Sequence, residues 1–272
     1  MPEGPEIRRA ADRIASVIEG RMVDEVFFAF PELKPWEERL QGQRVRRVQP
    51  RGKALLIRFE HGITMYSHNQ LYGRWFIRDR GVTPTTRRQL RAALHTSSSS
   101  ALLYSASEIA VLHDDDLDRH PYLSRLGLDL LDRETRPSTV RNRLRDRRFA
   151  RRSLGALLLD QSFLSGVGNY LRSEILHYAG VSPSRRPADL DADDLLRLAR
   201  AALTITRRAY RLRGVTNDPG RVRRMQAAGR PRRDYRHYVF GRAGEPCPRC
   251  GDMVVKRTVA GRRLYLCPSC QR

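Results

Sequence analysis

Residues 160–170 read Asp-Gln-Ser-Phe-Leu-Ser-Gly-Val-Gly-Asn-Tyr, a glycine-spaced turn between two amphipathic segments. In the flanking residues 154–162 and 169–179, apolar side chains recur at steps of three and four, the spacing of a helix with one buried face. Gly168 permits close backbone approach, and Asn169 opens the second helix. Because a helix start has free N–H groups, it can bind an anion. The stretch predicts a phosphate-binding helix hairpin, with an ordinary helix hairpin as the alternative.

Helical spacing also appears on both sides of this turn, in residues 138–145 and 191–212, so we expect a mostly helical domain over residues 132–213. The preceding residues 1–131 start with a helix and then carry short strand-like stretches with Gly, Pro and Ser breaks, which is typical of a β-sandwich. These stretches cover residues 22–30, 44–49, 54–59, 63–67, 75–78, 90–95, 101–105 and 108–112.

Residues 214–236 differ from both neighbouring regions. They are poor in apolar side chains and carry seven arginines between Arg221 and Arg236. Such a composition predicts a mobile basic loop or linker. The remaining residues 237–272 form a separate unit.

All four cysteines lie in this last unit, as Cys247-Pro-Arg-Cys250 and Cys267-Pro-Ser-Cys270, with sixteen residues between the pairs. Each pair can hold one side of a tetrahedral Zn²⁺, and strand-like residues 253–259 and 263–266 fold the second pair back onto the first. Two disulfides are the alternative, but no secretory signal supports it. We therefore expect one structural zinc ion in a ribbon hairpin, with Cys247, Cys250, Cys267 and Cys270 as its ligands.

The charge of the chain points to a polyanionic partner. Its 272 residues carry a formal net charge of +22, and its sequence pI is about 11.1. Such a surface attracts nucleic acid at long range, although a genome-wide arginine bias would also raise the charge. Only Lys34, Lys53 and Lys256 are lysines, so these amines stand out among 49 arginines. The sequence has no membrane-spanning run and no signal peptide, so we expect a cytoplasmic protein.

The first residues carry a reactive combination. If Met1 is removed, Pro2 becomes a secondary amine beside the carboxylate of Glu3, at the start of a predicted helix. An α-amino group titrates near pH 8, well below a lysine, and the positive end of a helix lowers its pKa further. The amine would then be nucleophilic at neutral pH. The alternative is that Pro2 and Glu3 only cap the helix.

Two further stretches could contact nucleic acid. Arg51-Gly52-Lys53 precedes a strand, and Gln70-Leu71-Tyr72 lies on a turn soon after it. Exposed bulky side chains on such a turn can fill the space that a flipped nucleotide leaves in a base stack. The alternatives are that Lys53 is an ordinary surface cation and that Leu71 and Tyr72 turn into the core.

Together these pieces resemble the formamidopyrimidine-DNA glycosylase and endonuclease VIII family, in particular the endonuclease VIII branch. The resemblance spans nearly the whole chain, and four stretches carry it almost residue for residue: residues 1–12, 51–56, 66–73 and 157–172. It implies an α+β multidomain fold in which a β-sandwich domain and a helix–two-turn–helix domain flank a DNA cleft, with a zinc finger on the helical side.

The resemblance also implies a role for each matching catalytic position. Pro2 would attack C1′ of the damaged nucleotide, Glu3 would protonate the opening deoxyribose, and Lys53 would assist base loss and β-elimination. Arg262, in the predicted turn Ala260-Gly261-Arg262, would hold a phosphate and support δ-elimination. The positions that would contact DNA are Gln70, Leu71, Tyr72, Arg125 and Asn169.

The implied activity is base-excision repair of damaged double-stranded DNA by a monomer that needs no small-molecule cofactor and lies at the nucleoid when bound to DNA. Gln70-Leu71-Tyr72 and Gly4 favour oxidised pyrimidines as substrates. Oxidised purines are the alternative substrate class, because residues 214–236 are longer and richer in arginine than the branch leads us to expect. A non-catalytic DNA-damage-binding protein is the alternative from another functional class.

Overall fold

The computed structural model describes residues 2–272 and divides the chain into two compact units, one ending at Arg125 and one beginning at Leu126. The N-terminal unit contains helix α1 (Gly4–Ile18), helix α2 (Pro35–Leu40) and eight strands. These strands are β1 (Glu25–Phe28), β2 (Val45–Arg51), β3 (Ala54–Phe59), β4 (Ile63–His68), β5 (Arg74–Asp79), β6 (Leu90–His95), β7 (Ser99–Tyr104) and β8 (Glu108–His113).

The eight strands form two antiparallel four-stranded sheets, in the orders β1-β6-β7-β5 and β2-β3-β4-β8. Alternate side chains of both sheets form one buried core, including Phe28, Ile57 and Leu103. Helix α1 adds Ile7 and Ile14 to this core, because its apolar residues recur on one helical face. The predicted β-sandwich is confirmed, and each of the eight strand-like stretches overlaps one strand.

The C-terminal unit contains the remaining helices and strands. The helices are α3 (Pro137–Arg145), α4 (Leu154–Leu157), α5 (Asn169–Ala179), α6 (Ala192–Arg211), α7 (Pro219–Ala227) and α8 (Arg232–Arg236), and the strands are β9 (Leu128–Asp129), β10 (Leu164–Ser165), β11 (Val255–Val259) and β12 (Arg262–Leu266). Short 3-10 helices occupy residues 31–33, 60–62, 114–119 and 123–125 of the N-terminal unit and residues 187–189 of the C-terminal unit.

Helix α5 lies at the centre of this unit. Leu171 and Ile175 of this helix are completely buried, and α6 and β12 pack against it. The core of the unit also includes Leu264 and Leu266 of the C-terminal hairpin. The hairpin is thus part of the same hydrophobic core as the helices, not a separate appendage.

Two details differ from the sequence-based expectations. The predicted helix 154–162 ends at Leu157, and a parallel bridge of β10 with β9 follows it. The predicted loop 214–236 contains α7 and α8; Asp218 starts α7 by accepting a hydrogen bond from the Arg221 N–H at 2.9 Å. The division of the chain at residues 131, 213 and 236 stays a prediction.

No helix within residues 2–272 has the length and hydropathy needed to cross a membrane.

Candidate functional site

The start of α1 holds the first candidate pair in the N-terminal unit. Glu3 is the N-cap residue of α1 and is only 3% exposed, and its main-chain N–H donates to the Glu6 carboxylate at 3.0 Å. Pro2 precedes it and is half-buried. Met1, whose removal the predicted chemistry requires, lies outside the described residues.

Lys53 lies in the two-residue turn between β2 and β3. Gly52 has a positive φ of 61°, which lets the turn close tightly after Arg51. The Lys53 main-chain N–H donates to the Tyr122 hydroxyl at 2.8 Å, and Lys53 as a whole is only 7% exposed. The surface-cation alternative for Lys53 therefore does not hold.

Residues 69–73, which we call the wedge loop, connect β4 to β5. Leu71 and Tyr72 are 58% and 65% exposed, so neither side chain packs into the core. Gln70 has a φ of 44°, and a Cβ at Gly73 would lie 2.7 Å from the backbone of Asn69. The loop is thus a tight turn that presents two large side chains to solvent.

Glu108 at the start of β8 fixes the polar residue of the wedge loop. Its carboxylate accepts from the Gln70 amide at 2.9 Å and from the Tyr66 hydroxyl at 2.7 Å. The Ser107 hydroxyl also donates to the Gln70 side-chain oxygen at 3.1 Å. Burial lowers the pKa of the adjacent His68, with Glu108 opposing and Lys53 reinforcing the change. The network therefore lies between the wedge loop and Lys53.

Arg125, the last candidate in the N-terminal unit, ends the 3-10 helix over residues 123–125. Its side chain is exposed, and its Nε donates to the Pro121 carbonyl at 2.6 Å. The His120 ring orders this turn by accepting from the main-chain N–H groups of Tyr122 and Leu123. Arg125 is thus a surface cation on a well-defined turn.

In the C-terminal unit, Asn169 is the first residue of α5, as the sequence predicts, and Gly168 is its N-cap. Within the described residues, the side-chain oxygen of Asn169 is buried without a hydrogen-bond partner. The turn before it packs against Gly127, where an added Cβ would lie 2.2 Å from the Ser162 carbonyl oxygen. This close approach fixes the turn before α5.

The four cysteines meet as predicted. Their Sγ atoms all lie within 4.8 Å of one another; Cys247 and Cys270 are 3.9 Å apart, and Cys250 and Cys267 are 3.4 Å apart. These distances exclude disulfides, whose sulfur atoms are about 2.05 Å apart. Tetrahedral Zn²⁺ with bonds of about 2.3 Å places its sulfur ligands about 3.8 Å apart, which fits. The cluster is a site for one structural zinc ion, with all four positions taken by protein thiolates.

Arg262 lies at the tip of the hairpin formed by β11 and β12. It is exposed, and it pairs with Val259 across a turn made by Ala260 and Gly261, both at positive φ. The sequence places Arg262 in the turn, whereas the structure makes it the first residue of β12. The tip therefore has strand geometry right up to Arg262.

Arg172 of α5, which the sequence reasoning missed, connects this tip to the helices. Its side chain is completely buried. The guanidinium donates to four main-chain carbonyls, those of Gly155 (2.7 Å), Val259 (3.2 Å), Arg262 (3.2 Å) and Arg263 (3.0 Å). Because these carbonyls flank the turn on both strands, Arg172 fixes the hairpin tip to α5 and α4.

Glu174, two residues after Arg172 in α5, fixes the segment that contains α7 and α8. Its buried carboxylate accepts from the main-chain N–H groups of Tyr238, Val239 and Phe240 at 2.8–2.9 Å and from the Thr216 hydroxyl. Burial raises the pKa of Glu174, while these donors oppose the rise by stabilising the anion. Helix α5 thus holds both ends of the segment that contains α7 and α8.

Comparison with known proteins agrees with this architecture. The chain matches the formamidopyrimidine-DNA glycosylase N-terminal domain over residues 1–107, the formamidopyrimidine-DNA glycosylase H2TH domain over residues 126–218, and the zinc finger found in FPG and IleRS over residues 244–272. It is 46% identical to proteins named endonuclease 8 from Escherichia coli and Klebsiella pneumoniae over 271 residues, covering 100% of each chain.

The chain belongs to the formamidopyrimidine-DNA glycosylase family, in its endonuclease VIII branch. Members of the family are DNA glycosylases that also act as lyases at abasic sites, and the chain is a base-excision-repair enzyme of this class. Its fold is similar to that of the Lactococcus lactis formamidopyrimidine-DNA glycosylase in complexes with DNA that contains N7-benzyl-Fapy-dG or an oxidised pyrimidine. The TM-scores are 0.81 and 0.80 at 19% and 20% identity, with 100% of both chains covered.

Sequence reasoning found the groups with unusual chemistry and missed the residues that position them. Glu108 and Glu174 are ordinary carboxylates by sequence, and Arg172 is one arginine among 49. The sequence does carry a signal for Glu174 and Arg172. Both lie among the apolar residues of α5, where burying a charged side chain costs free energy unless it has hydrogen-bond partners.

Proposed function

We propose that the enzyme removes oxidised pyrimidines from double-stranded DNA and then cuts the strand at the abasic site by β,δ-elimination. The observation that carries this proposal is the start of α1, where Pro2 stands beside the buried carboxylate of Glu3. Glu3 and Glu6 form the capping box of α1, which fixes Glu3 next to the nitrogen proposed to react. Thymine glycol and hydroxylated or reduced cytosine and uracil are the expected substrates.

In the first step, the Pro2 nitrogen forms a bond to C1′ of the flipped nucleotide. Glu3 gives a proton to the ring oxygen of the opening deoxyribose, and the bond from C1′ to the base breaks, with Lys53 assisting the departure of the base. Because the nitrogen of a secondary amine has no second proton to lose, its bond to C1′ becomes that of a positively charged iminium ion. This iminium ion accepts electrons from the neighbouring C2′–H bond.

Strand cleavage follows from that electron demand. Loss of a C2′ proton forms a C2′–C3′ double bond and expels the 3′ phosphate, which is β-elimination. A second proton loss expels the 5′ phosphate, which is δ-elimination, and Arg262 supports this step by holding a phosphate. The product is a one-nucleotide gap with phosphate on both ends. Pro2 is released from the sugar fragment by water.

Binding of the target strand is assigned to residues on both units. Gln70, Leu71 and Tyr72 fill the space of the flipped nucleotide, and Arg125 and Asn169 contact DNA. The position of Asn169 as the first residue of α5 supports this role, since main-chain N–H groups at a helix start can bind a phosphate. The zinc ion is structural: its four cysteine ligands leave no position for a reacting group.

We further infer a four-part division of the chain, with a catalytic β-sandwich (1–131), a helix–two-turn–helix domain (132–213), a basic segment (214–236) and a zinc finger (237–272). The enzyme would act as a cytoplasmic monomer, at the nucleoid when bound to DNA, with no small-molecule cofactor.

The choice of base is tested by a cleavage assay on a panel of defined duplexes. Thymine glycol and 5-hydroxycytosine duplexes should be cut at least tenfold faster than an 8-oxoguanine duplex, and the products should carry phosphate on both ends. The matched control is an abasic-site duplex, which bypasses base removal. Faster cleavage of the 8-oxoguanine duplex would favour the oxidised-purine alternative, and binding of all duplexes without cleavage would favour a damage-binding protein.

A further inference from the structure

Strand β5 of the N-terminal unit has a free edge. In the sheet order β1-β6-β7-β5, strand β5 pairs on one side only, with β7. In an antiparallel strand, alternate main-chain N–H and C=O groups point away from the paired neighbour. Within residues 2–272, the main chain from Trp75 to Arg78 forms hydrogen bonds with β7 and with no other segment. The outer edge of β5 is therefore available for pairing.

Two other sheet edges of this unit are covered by the chain itself. The outer edge of β2 exchanges hydrogen bonds with residues 19–21, including Gly20 N–H to the Val45 carbonyl at 2.8 Å. At β1, the Phe28 N–H donates to the Glu37 carboxylate at 2.6 Å. The outer edge of β8 likewise has no main-chain partner within the described residues, so an open edge alone does not single out β5; the cleft and the charge beside β5 do.

A cleft runs along the open edge, between β5 and the second half of α1. It has a volume of about 310 Å³ and is lined by Arg13, Ser16 and Val17 of α1 and by residues 74–78 of β5. This volume suits a few residues of extended peptide. A DNA duplex, whose major groove alone is about 12 Å wide, is too large to enter.

The cleft is strongly cationic and lacks acidic lining residues. Within the described residues, Arg9, Arg13, Arg74 and Arg78 form no ion pair, whereas the neighbouring Arg8 pairs with Asp12 at 3.1 Å. Burial, followed by the charges of Arg9 and Arg74, lowers the pKa of Arg13. The cations thus repel one another, and an entering anion would relieve that repulsion.

The outer face of β5 combines this charge with an aromatic ring. Phe76 lies between the guanidinium groups of Arg74 and Arg78, whose central carbons are 4.8 Å and 5.8 Å from the ring centroid. Tyr104 contacts the ring edge-on at 5.4 Å. Side chains at alternate positions of an added strand would therefore meet a cation, an aromatic ring and a cation in turn.

We propose that this cleft binds an extended acidic segment of another protein, which adds to β5 as a further strand. The bound segment has acidic side chains opposite Arg74 and Arg78 and an apolar side chain opposite Phe76. A phosphate chain matches the charge, but it offers only acceptors to an edge that presents donors and acceptors alternately. A peptide main chain offers donors and acceptors alternately and can pair with both kinds of group on this edge, which favours a protein partner.

The proposal is tested with the full-length protein and a fluorescein-labelled peptide that contains Asp-Val-Phe-Val-Asp. The pattern is symmetric, so it fits β5 in either strand direction. Fluorescence anisotropy should show saturable binding, and a peptide with Asn in place of both Asp should bind about tenfold more weakly or worse. Hydrogen exchange should slow at alternate amides of residues 74–79 when the acidic peptide binds.

Charge reversal supplies the matched protein control. Arg74→Glu with Arg78→Glu should weaken peptide binding about tenfold or more, whereas Arg46→Glu with Arg47→Glu, on exposed positions of the covered edge strand β2, should leave it within about twofold. Unchanged thermal unfolding of both variants shows that the fold is retained. Equal loss in both variants, or no binding to the wild type, would refute the peptide site. Loss of duplex DNA binding in the first variant alone would make the cleft a phosphate contact instead. Neither result bears on base removal, which the cleavage assay measures separately.

Discussion

The hairpin tip at Arg262 and the wedge loop at residues 69–73 both present side chains proposed to contact DNA, but they are supported in different ways. The hairpin tip has four main-chain carbonyls fixed by the buried Arg172, and its base contains the zinc site. The wedge loop is held by single hydrogen bonds, between the Gln70 side chain and both Glu108 and Ser107 and from Arg88 to the Tyr72 carbonyl, and it leaves Leu71 and Tyr72 exposed.

The difference follows from what each part has to do. A cation that supports a proton transfer must stay within a fraction of an ångström of its position at the phosphate, so a rigid, preorganised support is useful. Side chains that enter a base stack have to adapt to whichever bases flank the lesion. We therefore expect changes at the hairpin to have large effects on stability and strand cleavage, and changes at the wedge loop to have small effects on stability.

The largest effect is expected on removal of the zinc ion. Chelation, or Cys250→Ser, should unfold the hairpin and destabilise the C-terminal unit, because Leu264 and Leu266 belong to the core of that unit. Hydrogen exchange should rise throughout residues 247–270 and stay unchanged in the wedge loop. Arg262→Ala is the matched control: it should weaken DNA binding with little change in thermal unfolding. Equal loss of thermal stability in both variants would contradict the division between support and contact.

Next in size is Arg172→Met, which keeps most of the side-chain volume but removes all donors. Four main-chain carbonyls would each lose a hydrogen bond, at a cost of roughly 1 kcal/mol each, or about 3–5 kcal/mol in all. The hairpin tip should loosen, so the share of δ-elimination product should fall relative to the β-elimination product. Arg172→Lys should restore part of the stability. An unchanged product ratio in the Met variant would mean that Arg172 stabilises the fold without positioning Arg262.

A pH effect of intermediate size is expected at His237, which is 6% exposed beside Thr216 and Tyr170. Burial, followed by the charges of Arg236 and Arg232, lowers the pKa of His237 to about 3, and Thr216 links the ring to the Glu174 carboxylate. Because the unfolded chain binds this proton near pH 6.5 and the folded chain does not, stability should fall as the pH drops from 6.5 towards 3. The limiting slope is about 1.4 kcal/mol per pH unit.

Denaturant unfolding at several pH values measures this slope, and the difference between wild type and His237→Asn isolates it from loss of zinc in acid. The variant should show a flatter dependence between pH 6.5 and 5. Parallel curves for the two proteins would mean that His237 does not remain neutral in the folded state.

The smallest effect is expected at the wedge loop. Glu108→Gln keeps the shape of the side chain but weakens the hydrogen bonds from Gln70 and Tyr66, which should cost less than about 1 kcal/mol. Hydrogen exchange should rise in residues 69–73 and not in the hairpin. A loss of stability as large as that of Arg172→Met would contradict the proposed contrast between the two regions.

These two regions also mark the limit of what the sequence could reveal. The cysteine spacing predicted the zinc site, and the strand pattern predicted all eight strands of the sandwich, because both signals are local. The supports are not local: Arg172 meets residues about 90 positions away, and Glu108 meets Gln70 across the sheet. Such pairings depend on the fold, and the neighbouring residues in the sequence do not predict them.

Residues 214–236 show a different limit. Their composition predicted a loop, since seven arginines and few apolar residues leave little to bury. The structure instead forms α7 and α8, because both ends of the segment are held in place: Thr216 and residues 238–240 share the Glu174 carboxylate. Tertiary anchoring of this kind overrides composition, and composition alone cannot show it.

The most direct test of the proposed mechanism is to map the covalent intermediate. The enzyme is incubated with a duplex that contains an abasic site, the iminium ion is reduced with borohydride, and the digested adduct is located by mass spectrometry. We predict that Met1 is absent and that the sugar is attached to the nitrogen of Pro2. Attachment to Lys53, or an adduct on a chain that still begins with Met1, would contradict the assignment of Pro2 as the nucleophile.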